Sequence, residues 1–168
     1  ADGIVVPRVA EDDARLAYLT MQRFPYISHG RMHGPHPAHN WLDSDGEAAF
    51  GEAFDLLYEQ GHRHIGLVTI SDPMTFRRYR QAGLERAMER RGDPSVRLSV
   101  VDFPRFDHDA RVAAVNGMLH GEDRPTAMIG LFDEIAITIL EQAARAGISV
   151  PDDLSVIGFD NISAAAYA

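Results

Sequence analysis

Gly61-His62-Arg63-His64-Ile65-Gly66-Leu67-Val68-Thr69-Ile70, followed after a short connection by Thr75 to Arg91 and closed by Gly92, decides the fold of this chain. Ile65 to Ile70 is apolar almost without interruption, the pattern of a strand covered on both faces. Thr75 to Arg91 predicts a helix with Leu84, Ala87 and Met88 inward, and Gly92 ends it. Gly61 likewise stops a helix starting at Gly46, whose face is Ala49, Phe50, Ala53, Phe54 and Leu57. Downstream the alternation repeats. Leu98 to Val101 reads as a strand, and Asp107 as the cap of a helix carrying Val112, Val115 and Leu119. Ala127 to Leu131 is the next strand. Asp133 is expected to cap a helix with Ile135, Ile139, Leu140 and Ala143 on one face, closed by Gly147, and Leu154 to Phe159 is the last strand. Upstream, Gly3 to Val6 reads as a buried strand. Ala10 to Met21 reads as a helix with Glu11, Asp12 and Asp13 in its first turn, and Pro25 to Ser28 as a strand. Gly30 to Asn40 is a loop rich in Gly and Pro.

Strands that alternate with helices, without an exposed polar face of their own, predict an α/β protein: a parallel sheet between two helical layers, joined by right-handed crossovers. Ligands in such sheets sit beyond the carboxyl ends of the strands. Here those ends are Pro7-Arg8, His29, Ile70 to Thr75, Asp102 to Phe106, Leu131 to Asp133 and Phe159 to Asn161.

Composition narrows the function. The chain of 168 residues carries 16 basic and 25 acidic side chains, a formal net charge of -9, which disfavours direct contact with phosphate backbones. The absence of cysteine excludes disulfides, thiol catalysis and cysteine-ligated zinc. No apolar run reaches the roughly 20 residues that span a bilayer. The start on a strand-like run without Met leads us to expect a chain that begins inside a domain.

Chemistry-bearing motifs are sparse. No GxGxxG, GxxxxGK[ST] or GxSxG pattern occurs. His29, His33, His36 and His39 cluster around one loop, without the Cys or acidic pattern of a metal site, and read as a polar connection. We expect no cofactor and no metal. Arg80 sits in the first turns of the helix after a strand, where a guanidinium can clamp a diol or carboxylate; by pattern alone the reading as a solvated helix arginine is the stronger. Asp160 ends a strand and suits either sugar hydroxyls or a turn. Phe76, Phe106 and Phe132 fall near strand ends, where a ring stacks on a sugar face or plugs the core.

Three stretches, in order, resemble the lactose-repressor-type (LacI/GalR) family of transcriptional regulators. Gly61 to Val68 resembles its GHRxIxxl signature, and Arg78-Tyr79-Arg80-Gln81-Ala82-Gly83-Leu84 its RxxGf helix. Pro125-Thr126-Ala127-Met128 with Asp133-Glu134-Ile135-Ala136, then Val150-Pro151-Asp152-Asp153-Leu154-Ser155-Val156-Ile157-Gly158-Phe159-Asp160-Asn161, resembles its closing PTAi and vPdDlsviGfDd segments. Ala1 to Val6 and Phe24-Pro25 fit the earlier part. The resemblance implies a two-lobed, periplasmic-binding-protein-like core with the first lobe incomplete. Residues 1–42 would form part of the N-terminal lobe, 43–160 the C-terminal lobe, and 161–168 the start of the crossover back.

It also implies a cytoplasmic, homodimeric effector sensor that is not an enzyme. Such a sensor binds a small molecule, commonly a sugar, between its lobes and meets operator DNA only through a headpiece before Ala1; these residues by themselves are expected to bind no operator. Arg80 and Asp160 take the places of effector contacts, Phe106 falls near a ring-stacking position, and His29 faces the cleft from the first lobe. Phe132 stands where the family often has Asn or Ser, which implies a less polar or differently shaped ligand. The alternatives are a periplasmic sugar-binding protein of a transporter, which shares the fold, and an enzyme on a Rossmann-like sheet, disfavoured by the missing phosphate loop.

Overall fold

The structure, a computed structural model, describes residues 2–34 and 38–167. Two parallel sheets organise it. The first has the order β1-β2-β3, formed by Ile4–Pro7, Tyr26–His29 and Asn40–Leu42, with helix α1 (Ala14–Met21) between β1 and β2. The second has the order β5-β4-β6-β7, formed by Arg97–Phe103, His64–Ile70, Ala127–Gly130 and Ser155–Ile157. Helices α2 (Gly46–Glu59), α3 (Thr75–Arg91), α4 (His108–Leu119) and α5 (Asp133–Arg145) complete it, with a short 3-10 turn at Ser163–Tyr167.

Each sheet has its own core. Phe50, Phe54 and Leu57 from α2, Leu84 and Ala87 from α3, Val115 from α4 and Ile135 and Ile139 from α5 enclose Ile65 to Ile70 and Ala127 to Ile129. Every residue of β4 is buried, as its uninterrupted apolar run requires. The first core is small: Val6, Val9 and Leu16, with Leu19, Tyr26 and Met32 against them.

Helices α2 and α3 cross closely. A Cβ on Gly83 would lie 2.2 Å from the Glu47 carbonyl oxygen, so only glycine fits at the crossing. Across the same seam Arg86 pairs with Glu47, and Arg90 and Arg91 with Asp55.

Four sequence expectations are corrected. α1 begins at Ala14, not Ala10, because Asp13 caps it, accepting from the Arg15 amide at 3.0 Å and from the Ala10 amide at 3.1 Å. Its carboxyl also pairs with the Arg15 guanidinium, whose hydrogen bond holds it at a pKa of about 2. Glu11 is thereby freed from the helix, and its amide binds the Pro73 carbonyl at 2.8 Å. β1 is an edge strand, not a buried one, with Ile4 and Val5 exposed and only Val6 inside. The stretch after Gly30 ends in a strand, β3, whose three residues are too few to show periodicity. Asp133 is the first residue of α5 and not its cap. Phe132 holds the cap position without a side-chain bond, and the Asp133 carboxylate accepts from the Ile162 amide at 2.8 Å.

At the amino ends of the second sheet two histidines tie neighbouring strands together. His62 bridges the Thr126 and Ser155 hydroxyls at 2.8 and 2.9 Å, and His64 lies 2.8 Å from the Ser99 hydroxyl. Burial lowers the pKa of both; for His64, Arg97 lowers it further while Asp123 opposes. A histidine whose folded pKa lies below its unfolded value near ~6.5 favours folding above that value and penalises it as the pH falls toward the folded pKa. The melting temperature is therefore expected to drop as the pH is lowered from ~7.5 to ~5.5, and the drop should shrink in a His62→Gln, His64→Gln variant. An equal pH slope in both proteins would remove these residues as its source.

Candidate functional site

The carboxyl ends of both sheets open onto one cavity of about 300 Å³, at the lower end of the usual size for small-molecule sites. Several links from the first sheet's segments hold it together, and two of them reach the first turns of α3. The Val9 carbonyl accepts both the Thr75 amide at 3.0 Å and the Thr75 hydroxyl at 3.1 Å, tying the segment after β1 to the start of α3. Tyr79, one turn along α3, donates to the Met32 carbonyl at 3.1 Å and lies under the Arg31 guanidinium, 3.9 Å from the ring centre.

Arg80 is the central cation. It is buried, donates from Nη1 to the Leu131 carbonyl at 2.5 Å, and stacks on the Phe159 ring at 4.0 Å. Gly46 at the start of α2 makes room for it, since a Cβ there would sit 3.0 Å from Arg80 Cγ. Its Nη2 reaches Asp160 Oδ1 only at 3.5 Å, a loose contact. Burial lowers the Arg80 pKa, opposed by Asp160 and Asp43. Burial likewise raises the Asp160 pKa; Arg80 pulls it down, while Asp133 and Glu134 add to the rise. Each partner is thus incompletely compensated, an arrangement suited to a ligand carrying both donors and acceptors.

Backbone strain marks the same region. Arg8 has φ 56°, Asp160 φ 106° and Asn161 φ 51°, conformations that non-glycine residues adopt at a cost and that cluster at ligand sites.

Of the residues singled out from sequence, Arg80, Asp160, Phe132, Phe76 and His29 line the cavity. Phe106 does not. β5 ends with Phe103 buried in the core; the turn closed by the Asp107 amide on the Pro104 carbonyl leaves Phe106 87% exposed, and Arg105 lines the cavity instead. Arg8, Asp43, Tyr79, Arg105 and Glu134 also line it. Arg8 and Arg105 were within reach of sequence reasoning, since both lie in the strand-end segments. Asp43 follows β3 and was hidden with that strand. Of the loop histidines, His33 packs edge-on to Tyr79 and His39 stacks on Tyr26, while His36 lies outside the described residues. No group of three or more His, Cys, Asp or Glu is placed to hold a metal ion among the described residues.

Two parallel sheets share one cavity at their carboxyl ends, lined by charged and aromatic side chains, the arrangement of a two-lobed α/β fold. Comparison with known proteins gives the family. The model of the periplasmic binding protein-like domain matches residues 54–168. The transcriptional repressor CytR of Escherichia coli is 39% identical over 118 residues, 68% of this chain and 33% of the repressor. Catabolite control protein A of Priestia megaterium is 34% identical over 119 residues, 70% of this chain and 35% of that protein.

Among solved structures, a LacI regulator from Bacillus cereus subsp. cytotoxis superposes with a TM-score of 0.87 at 25% identity, over 96% of this chain and 57% of its own. A LacI family regulator from Enterococcus faecium with bound ribose gives 0.82 at 25%, over 100% and 62%. The regulator CelR in complex with cellobiose gives 0.85 at 27%, over 100% and 51%. The chain belongs to the periplasmic binding protein-like domain family, and the relatives it matches are regulators of the lactose-repressor type. It spans about a third of the length of these curated relatives. No helix among the described residues is long and apolar enough to cross a membrane.

Proposed function

We propose that this chain is the effector-sensing core of a bacterial transcriptional regulator, and that its ligand is a small polyol, a sugar in the first instance, held between a partial first lobe (1–42) and a second lobe (43–160). The observation that carries the reading is the shared cavity, which Arg80 and Asp160 line together with Arg8 and His29 from the ends of first-sheet strands. The ribose and cellobiose complexes of related regulators support the sugar. Arg80 and Asp160 would bind hydroxyls; Phe76 and Phe132 would cover the ring.

Binding would act by differential affinity for two lobe arrangements. The ligand would leave unchanged, operator DNA would be reached through a headpiece outside these residues, and the working form would be a cytoplasmic homodimer. The periplasmic transport alternative is not favoured by the relatives, which are regulators.

A thermal-shift screen of sugars, sugar phosphates and nucleobases tests this. A ligand at about a hundred times its dissociation constant adds roughly 2.7 kcal/mol, a rise of about 5 to 10 °C for a chain of this size. Absence of any shift across the panel, or chemical turnover of a member, would defeat the proposal.

A further inference from the structure

Two arginines, one from each sheet, line the cavity without an ion pair among the described residues. Arg8 follows β1 of the first sheet and Arg105 follows β5 of the second; both line the cavity. Most of the other arginines hold an ion pair, among them Arg15 with Asp13, Arg63 with Asp93 and Arg97 with Asp123; Arg23, Arg124 and Arg145 show none among the described residues, but they do not line the cavity. Neither the Arg8 nor the Arg105 guanidinium makes a hydrogen bond or ion pair among the described residues. Arg105 is half-buried among rings, its guanidinium carbon 5.3 to 6.0 Å from the centres of Phe106, Phe132 and Phe76.

The two cations also sense each other. Burial lowers the Arg105 pKa and Arg8 lowers it further, against the pull of Glu134 and Asp72. Like charges set across a cleft from two different sheets oppose its closing.

We propose that the effector carries a phosphate monoester, bridged by Arg8 from the first lobe and Arg105 from the second, while Arg80 and Asp160 hold its polyol part. This rests on the cleft reading above and narrows it. A phosphate monoester brings nearly two negative charges and three acceptor oxygens, enough to satisfy two guanidinium forks at once. A carboxylate, with two oxygens and one charge, engages one fork and leaves the other cation exposed to it. Bridging turns the repulsion between the lobes into attraction, so the charged ligand prefers the closed arrangement over the open one.

The test pairs each sugar with its ester: ribose with ribose 5-phosphate and glucose with glucose 6-phosphate, plus gluconate, titrated by calorimetry into the parent chain and into Arg8→Gln and Arg105→Gln. The expected result is at least tenfold tighter binding of a phosphorylated member than of its neutral partner. Either substitution should cut that preference to near unity, the ester losing at least fivefold more affinity than its neutral sugar. Inorganic phosphate, compared with chloride at equal ionic strength, should raise the melting temperature of the parent chain more than that of either variant. General salting-out stabilises all three alike and is subtracted by this comparison.

Neutral sugars binding as tightly as their esters, gluconate binding best, or a phosphate preference surviving both substitutions would overturn the bridge and leave the cleft reading standing. Silence from every member of the panel, inorganic phosphate included, would overturn both.

Discussion

Replacing Arg80 with Met is expected to weaken effector binding by about 100-fold, roughly 2.7 kcal/mol, while the chain stays folded. The buried guanidinium ties the Leu131 carbonyl to the Asp160 carboxylate, and charge-assisted bonds to ligand atoms are worth more than neutral ones. Methionine keeps most of the apolar stem against Phe50 and Phe159, so packing loss is kept small. Arg80→Lys separates charge from shape: a lysine keeps the charge and loses the planar fork, and the expected result is nearly as large a loss. Calorimetry measures the affinity, and the melting temperature without ligand reports the fold. Unchanged affinity in a folded Arg80→Met protein would reduce the residue to a structural strut.

The second large effect concerns stability. Gly83→Ala should raise intrinsic helix propensity by about 1 kcal/mol, yet we expect a net loss of about 2 to 3 kcal/mol. The new methyl would meet the Glu47 carbonyl at 2.2 Å, and two packed helices do not part to admit it without losing contacts along the seam. The melting temperature should fall by about 4 to 12 °C. Gly117→Ala supplies the control. It lies within α4 with nothing within 4 Å of its added Cβ, so propensity acts alone and the protein should gain about 0.5 to 1 kcal/mol. Equal responses at the two positions would mean that the crossing of α2 and α3 is looser than described.

The contrast between these glycines shows where sequence reasoning reached. The helix from Thr75 to Arg91 and its Gly92 stop were legible because amphipathic period and left-handed cap act locally. So was β4, whose apolar run admits no solvent-facing side. The tightness at Gly83 was not legible, since it depends on a partner helix about 36 residues away in sequence. The site divides the same way. Asp160 was marked by its position at a strand end and Arg80 by the resemblance of its helix, while the rule that ligands gather at strand ends pointed to the segments that hold Arg8 and Arg105. What the rule left open was direction. At Arg105 and Phe106 a tight turn decides which neighbour lines the cavity, and aromatic character pointed to the one left exposed. The three residues of β3 and the start of α1 depend on tertiary hydrogen bonds that no local pattern announces.

The left-handed backbone at Arg8 and Asp160 carries a consequence for engineering. Glycine at Arg8 would relax the chain and raise its melting point, yet it would delete a side chain that lines the cavity; at Asp160 the relief is offset by the loss of the buried Arg80's carboxylate contact. A laboratory selection run on heat tolerance alone would therefore drift toward a sturdier protein deaf to its signal, so any hardening of this scaffold has to be scored on ligand response at every round.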